Sequence, residues 1–336
     1  RISNVDQLES LNSMTGVNVD GKTFTSLQLD GNALLDDISY LEDLADITSS
    51  LNLLNNPSLS ECSIDPVCAA ISASTANVNI GGNADDCASF TQVRDICFPD
   101  LPALLALYNA TGGPNWTEQT GWADAALGNG SFDPCDGWFG VGCENDRVTT
   151  LDLNVGISGN NLTGELPQAF FRLPRLKDLD LGFNNLSGQL SGDVGLLTAL
   201  EGLSLSANNF SNRIPGGIGL LTNLRSLKLN SNSFSQEIPP GIGNLTNLNL
   251  LWLNSNDLSG PVPLGIADLP LRDLRLSNNE LSGALPRIGS STLTRYAADV
   301  NSFSGNIPAD LFPATATPSQ VILSFNDLDG PLPDVL

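Results

Sequence analysis

Few residues in this chain offer a starting point for chemistry. None of the 336 residues is a histidine, so no Ser-His-Asp or Cys-His arrangement and no imidazole metal site can be assembled. Six cysteines fall in local clusters, Cys62/Cys68, Cys87/Cys97 and Cys135/Cys143. An even count with no histidine to complete a zinc site reads as disulfides, and hence as a secreted or cell-surface protein. Carboxylates are plentiful, but Asp36-Asp37 and Asp85-Asp86 lack the spacing of a calcium loop, and no phosphate-cradling glycine motif occurs. A glycosidase pair chosen among 37 acids would be arbitrary. These observations point to a non-enzyme with no cofactor or metal, whose interesting residues bind.

Trp252 leads among those. Lys228 precedes it by 24 residues and Arg275 follows it by 23, and the same interval recurs along the chain. The unit is L-x-L-x-x-N-x-L/F-S-G-x-I/L-P, as in LDLGFNNLSGQL at Leu179, LSLSANNFSNRIP at Leu203, LKLNSNSFSQEIP at Leu227 and LWLNSNDLSGPVP at Leu251. A period of this length is the mark of stacked coils. Its asparagines are Asn184, Asn208, Asn232, Asn256, Asn279, Asn301 and Asn326. Each is expected to turn inward, its amide bonding the backbone of its own and adjacent coils, so the asparagines form a structural ladder.

The motif resembles the leucine-rich repeat, and its L-S-G-x-I-P extension resembles the plant-type subclass, a pattern shared with secreted algal and bacterial proteins. The resemblance implies an α/β repeat, a leucine-rich-repeat solenoid with a parallel β-sheet on its concave face. Residues 148–336 then make about eight coils, starting at Leu151, Leu179, Leu203, Leu227, Leu251, Leu274, Tyr296 and Val321, with no C-terminal cap. In the first coil the extra NVGISGN is expected to bulge from the surface, and the Ser-Gly pairs are expected to make a second turn in each coil.

Residues 1–98 carry a looser copy of the unit, with ladder positions Asn32, Asn56 and Asn83 at intervals of 24 and 27. The segment through Cys62, Cys68, Cys87 and Cys97 resembles the closing part of short receptor-L-like domains, and three pairings of its cysteines are open. Residues 99–147 resemble the N-terminal cap of plant-type repeat domains. There Leu101, Leu104, Leu105 and Tyr108 share a helical face that Gly112-Gly113 ends. Trp116, Trp122, Trp138 and Phe139 cover the first coil, and paired Cys135 and Cys143 pin the cover. A ligand site around the three tryptophans is the alternative to a core role, which is the commoner one.

The periodicity also says which side chains leave the concave face. The residue between the paired leucines reads Asp152, Asp180, Ser204, Lys228, Trp252, Arg275, Ala297, Ile322 coil by coil, and flanking positions add Arg225, Asn254, Arg272 and Arg295. An aromatic ring with flanking cations can hold a sugar or a polypeptide bearing acidic groups. Equally, Lys228 and Arg275 can stack on Trp252 and neutralise Asp180, Glu201 or Asp273 as scaffold.

The balance of 14 Lys+Arg against 37 Asp+Glu, a formal charge of −23, argues against nucleic acid as a partner. No apolar run is long enough to span a bilayer, and the start at Arg1 suggests a processed or excised chain. Seven N-x-S/T sequons, at Asn109, Asn115, Asn129, Asn161, Asn185, Asn209 and Asn244, mark possible N-glycosylation. The sequence therefore reads as an acidic recognition or adhesion module that binds protein or carbohydrate. The alternatives are a subunit of an extracellular assembly, joined through the uncapped end, and an inhibitor of a secreted hydrolase.

Overall fold

The computed structural model describes residues 23–42, 44, 46–72, 77–128 and 130–331. They belong to two compact units, Arg1–Pro102 with Thr120–Trp138, and Ala103–Gln119 with Phe139–Leu336.

In the shorter unit, alternation of apolar and polar residues produces three strands, Thr23–Asp30, Asp46–Leu54 and Asn77–Gly81, paired in parallel. Leu27, Leu29, Leu51 and Leu53 are fully buried, while Gln28 and Asn52 between them face outward. The ladder is real here despite its uneven spacing. Asn32 and Asn56 donate their backbone N–H groups to Oδ1 of Asn56 and Asn83, at 3.0 and 2.9 Å. The longer interval holds the helix Asp65–Ser72. Of the three open cysteine pairings the fold selects Cys62–Cys87 and Cys68–Cys97, each with Cα atoms 5.4 Å apart. Cys135 and Cys143 are disulfide-bonded as well, so no free thiol remains.

In the longer unit each coil has three sides. The first is a sheet of nine strands running from Val141–Glu144 and Arg147–Asp152 through Asp178–Asp180, Gly202–Ser204, Ser226–Lys228, Leu250–Trp252, Asp273–Arg275 and Arg295–Ala297 to Gln320–Ile322. All pairings are parallel except that of the edge strand Val141–Glu144. The second side corrects an expectation. The Ser-Gly stretches do not simply turn; with their neighbours they form eight short strands, among them Asn185–Gln189 and Asp257–Pro261, which pair into another parallel sheet. The third side is 3₁₀ turns such as Gly216–Leu220 and Pro240–Asn244. Successive turns approach so closely that a Cβ on Gly219 would stand 2.6 Å from the Gly241 oxygen.

The interior is filled by both leucines of each L-x-L and by the Leu/Phe after the asparagine; Phe210 and Phe234 stack with ring centroids 6.0 Å apart. The amide ladder runs beside this core as one continuous relay. Asn256 donates to Leu229 O and Leu253 O, both at 3.0 Å, and its Oδ1 accepts from Phe234 N at 3.0 Å. Each leucine carbonyl in turn accepts from two asparagines: Leu229 O from Asn232 and Asn256, Leu253 O from Asn256 and Asn279. The same pattern holds at Asn184, Asn208, Asn301 and Asn326.

One feature of the ladder was not read from the periodicity. The residue immediately before each ladder asparagine has a left-handed backbone: Gly31, Asn55, Gly82 and Gly159 accept it readily, whereas Phe183, Ala207, Ser231, Ser255, Val300 and Phe325 adopt it at φ between 53° and 59°. The turn that carries the amide inward imposes this geometry.

The cap helix is Leu101–Ala110, ending ahead of Gly112 at φ 73°. Leu101, Leu104 and Tyr108 are buried as expected, but Leu107 is buried where Leu105 is only half so. Trp116 packs on Tyr108 at 5.1 Å and donates Nε1–H to Thr111 O. Asn160, the first ladder asparagine of this unit, bonds Glu118 through N–H and C=O. In the shorter unit Trp122 and Trp138 pack at 5.1 Å. With 3%, 0% and 2% exposure, Trp116, Trp122 and Trp138 are core, and no open tryptophan site is formed by them. The NVGISGN insertion contains a single 3₁₀ turn, Gly156–Ser158, with Ile157 90% exposed.

Candidate functional site

Strand register places the candidate residues in one row. Asp152 pairs with Asp180, Asp180 with Ser204, Ser204 with Lys228, Lys228 with Trp252, Trp252 with Arg275, Arg275 with Ala297, and Ala297 with Ile322. The buried leucines on either side of each position lock that orientation, because slipping a strand by one residue would expose them. The row therefore runs from carboxylates, through a cation-flanked indole, to aliphatic side chains.

At its centre Trp252 is half-buried between cations from the two neighbouring strands. Arg275 Cζ lies 3.8 Å and Lys228 Nζ 5.1 Å from the ring centroid, both within cation–π range. The cations differ in their own company. Arg275 grips Asp273 through Nε at 3.0 Å and Nη2 at 2.8 Å, and both side chains are largely covered. Lys228 has no ion pair among the described residues, so its ammonium keeps an unspent charge. Two polar atoms nearby, Trp252 Nε1 and Asn254 Oδ1, are buried without a hydrogen-bond partner.

The flanking candidates divide similarly. Arg225 is exposed and paired with Glu201 at 3.0 Å. Arg272 is exposed and Arg295 half-buried, neither with an ion pair among the described residues. Of the scaffold pairings foreseen for this patch, Arg275–Asp273 forms and no Lys228–Asp180 pair is present.

Beside the platform the sheet opens into a shallow depression of about 230 Å³, lined among others by Asp152, Asp178, Asp180, Gly202, Ser204 and Lys228. Gly202 lines it, and the Asp178 carboxylate leans over this glycine, its Oδ1 2.6 Å from where a Cβ would stand. Asp152 Oδ1 accepts from Asn154 N at 3.0 Å, while Asp180 accepts from Gly182 N at 2.8 Å through Oδ1 and from Asn154 Nδ2 at 3.5 Å through Oδ2. Asp178 is exposed and has no ion pair among the described residues. Asp178 and Gly202 occupy the other outward column of the sheet, and their joint effect required the register. Farther along, Tyr296 is buried beneath the sheet and donates to Pro286 O at 3.1 Å; burial pushes its phenol well above the usual tyrosine range.

The sequon asparagines Asn109, Asn115, Asn161, Asn185, Asn209 and Asn244 are all exposed; Asn129 lies outside the described residues. Asn161, Asn185 and Asn209 stand at the same position of three consecutive coils on the second sheet side, away from the Trp252 row. Among the described residues no cluster of His, Cys, Asp and Glu has the arrangement of a metal site, and no helix is long and apolar enough to cross a membrane.

The parallel sheets, the repeat interval and the amide relay define a leucine-rich-repeat solenoid, and residues 223–245 match the model of the Leucine Rich Repeat family. Among solved structures, the chain is similar to the leucine-rich-repeat ectodomain of the membrane receptor kinase GASSHO1/SCHENGEN3 from Arabidopsis thaliana, solved in complex with CASPARIAN STRIP INTEGRITY FACTOR 2. That match has 27% identity and a TM-score of 0.53, and covers 70% of this chain and 31% of the ectodomain. The chain thus spans about a third of that ectodomain's length. It is also similar to a plant ice-binding protein, at 26% identity and TM-score 0.47 over 70% of this chain and 88% of that one. A TDR receptor matches at 31% identity and TM-score 0.46 over 53% of this chain and 35% of that one. No curated protein matches by sequence.

Proposed function

We propose that this chain is an extracellular recognition module that holds a polypeptide partner on the sheet bearing Trp252. The observation that carries the reading is the cation-flanked Trp252 together with Lys228, Arg272 and Arg295, which have no ion pair among the described residues: positive charge gathered around one ring in a protein whose net charge is −23. Such segregation gives a directed local field that steers acidic partners despite the overall charge. Polypeptide is favoured over carbohydrate because cations already lie against the indole from both neighbouring strands, so a sugar ring would have to displace one before stacking. The similarity to a receptor ectodomain crystallised with a bound factor supports the same direction, and the disulfides support an extracellular setting. The plant-type subclass, and a receptor-L-like origin for the shorter unit, belong to this proposal; the even 24-residue steps and the second sheet support the former.

The test is a comparison of wild type with the Trp252→Ala/Arg275→Ala double variant on a glycan array and against a displayed library of decapeptides. The expected result is a set of peptide binders lost in the variant, with circular dichroism showing the fold retained. Peptide binders indifferent to the substitutions would refute the site, and variant-sensitive hits confined to neutral glycans would refute the ligand class.

A further inference from the structure

The row has a direction, and a ligand laid along it must match that direction. We infer, resting on the reading above, that the partner segment is extended in the polyproline II manner, with a fixed order of chemistry on one of its faces: a cationic side chain, an anionic side chain three residues away, and an apolar side chain about six residues beyond that.

The spacing follows from sheet geometry. Neighbouring strands lie about 4.8 Å apart, and a polyproline II segment advances about 3.1 Å per residue with every third side chain on one face. Asp180 and Lys228 are separated by two strand steps in register, or about 10 Å and three residues of ligand. From Lys228 to Ile322 is four steps, about 19 Å, which matches about six residues of ligand and returns to the same face.

Each station offers a place of the required kind. The depression beside Gly202 is lined by Asp152, Asp178 and Asp180, of which Asp178 has no ion pair among the described residues. Its far wall is Lys228, whose ammonium rests over the Trp252 ring without a carboxylate of its own. Arg275 contributes shape more than charge, being already neutralised by Asp273. Beyond it Ala297 is buried and the half-buried Ile322 offers the apolar contact. A ligand with the opposite order would put its anion against three carboxylates and its cation against Lys228. Like charges facing each other across an interface supply discrimination that attraction alone does not.

The experiment extends the peptide selection on the full chain. Peptides that depend on Trp252 should share the order cation, two residues, anion, then apolar. A synthetic decapeptide of that consensus should bind about tenfold more tightly by calorimetry than the same composition with the two charges exchanged, since each exposed ion pair contributes a factor of roughly two to five. The Asp180→Lys/Lys228→Asp variant, checked for fold by circular dichroism, should lose most of the preference, because the cation of the row is gone and a lysine now stands beside Asp152 and Asp178. Trp252-dependent peptides without a common charge order, or an exchange variant that leaves the preference unchanged, would overturn this inference while leaving the site standing. If no selected peptide depends on Trp252, the site and this inference both fall.

Discussion

Removing one ladder amide from the middle of the solenoid is the sharpest test of what holds this fold. Asn256 is buried and makes three hydrogen bonds, two as donor and one as acceptor. In Asn256→Ala the two carbonyls it serves each keep one partner, because Leu229 O is still reached by Asn232 and Leu253 O by Asn279. Phe234 N–H loses the partner shown for it and is left inside the coil. An orphaned buried donor costs about 1–3 kcal/mol, and two weakened acceptors add about half of an ordinary bond each, so the loss should be about 2–4 kcal/mol. Asn256→Asp separates donor from acceptor function. The carboxylate still accepts from Phe234 N–H, but it points negative oxygens at two carbonyls and buries a charge. It should therefore be less stable than Ala at pH 7. Burial raises its folded pKa, so it should gain on Ala as pH falls through the carboxylate range, where the protonated acid can donate once. Urea denaturation followed by far-ultraviolet circular dichroism at pH 7 and pH 4 measures both effects. A loss below about 0.5 kcal/mol for Ala, or an Asp variant more stable than Ala at pH 7, would refute the ladder argument.

Two further outcomes follow from the same geometry. Ala207, held left-handed at φ 53° before Asn208, should be improved by Ala207→Asn, the residue found in the equivalent place at Asn55 and Asn278. A gain of about 0.5–1 kcal/mol in thermal or urea unfolding is expected, and no gain would show that the turn carries no strain there. Tyr296 has a folded pKa above its ordinary value, so its contribution is fully present below about pH 10 and is lost as pH rises and the unfolded chain ionises. Tyr296→Phe should lower stability by about 1 kcal/mol at pH 8 through loss of the bond to Pro286 O, and should flatten the alkaline decline. Equal pH slopes for the two proteins above pH 10 would show that another group governs it.

Much of this molecule was legible in one dimension because a solenoid converts sequence period directly into spatial adjacency. Residues one period apart are neighbours on the next coil, so counting from the ladder asparagines was enough to put Lys228, Trp252 and Arg275 side by side, and alternation around the leucines was enough to turn them outward. The tertiary structure decided what counting cannot reach. It chose the Cys62–Cys87 and Cys68–Cys97 pairs, since spacing is compatible with three connectivities. It straightened the Ser-Gly stretches into a second sheet, because extended backbone there finds parallel partners on both neighbours. It assigned charges to their partners, Arg275 to Asp273 but Lys228 to none among the described residues, through side-chain rotamers that no periodicity encodes. And it formed the depression beside Gly202, where the Asp178 carboxylate of the adjacent strand leans over a residue with no side chain. Period determines which residues are neighbours; only packing in three dimensions determines which of them still have charge and space to offer a partner.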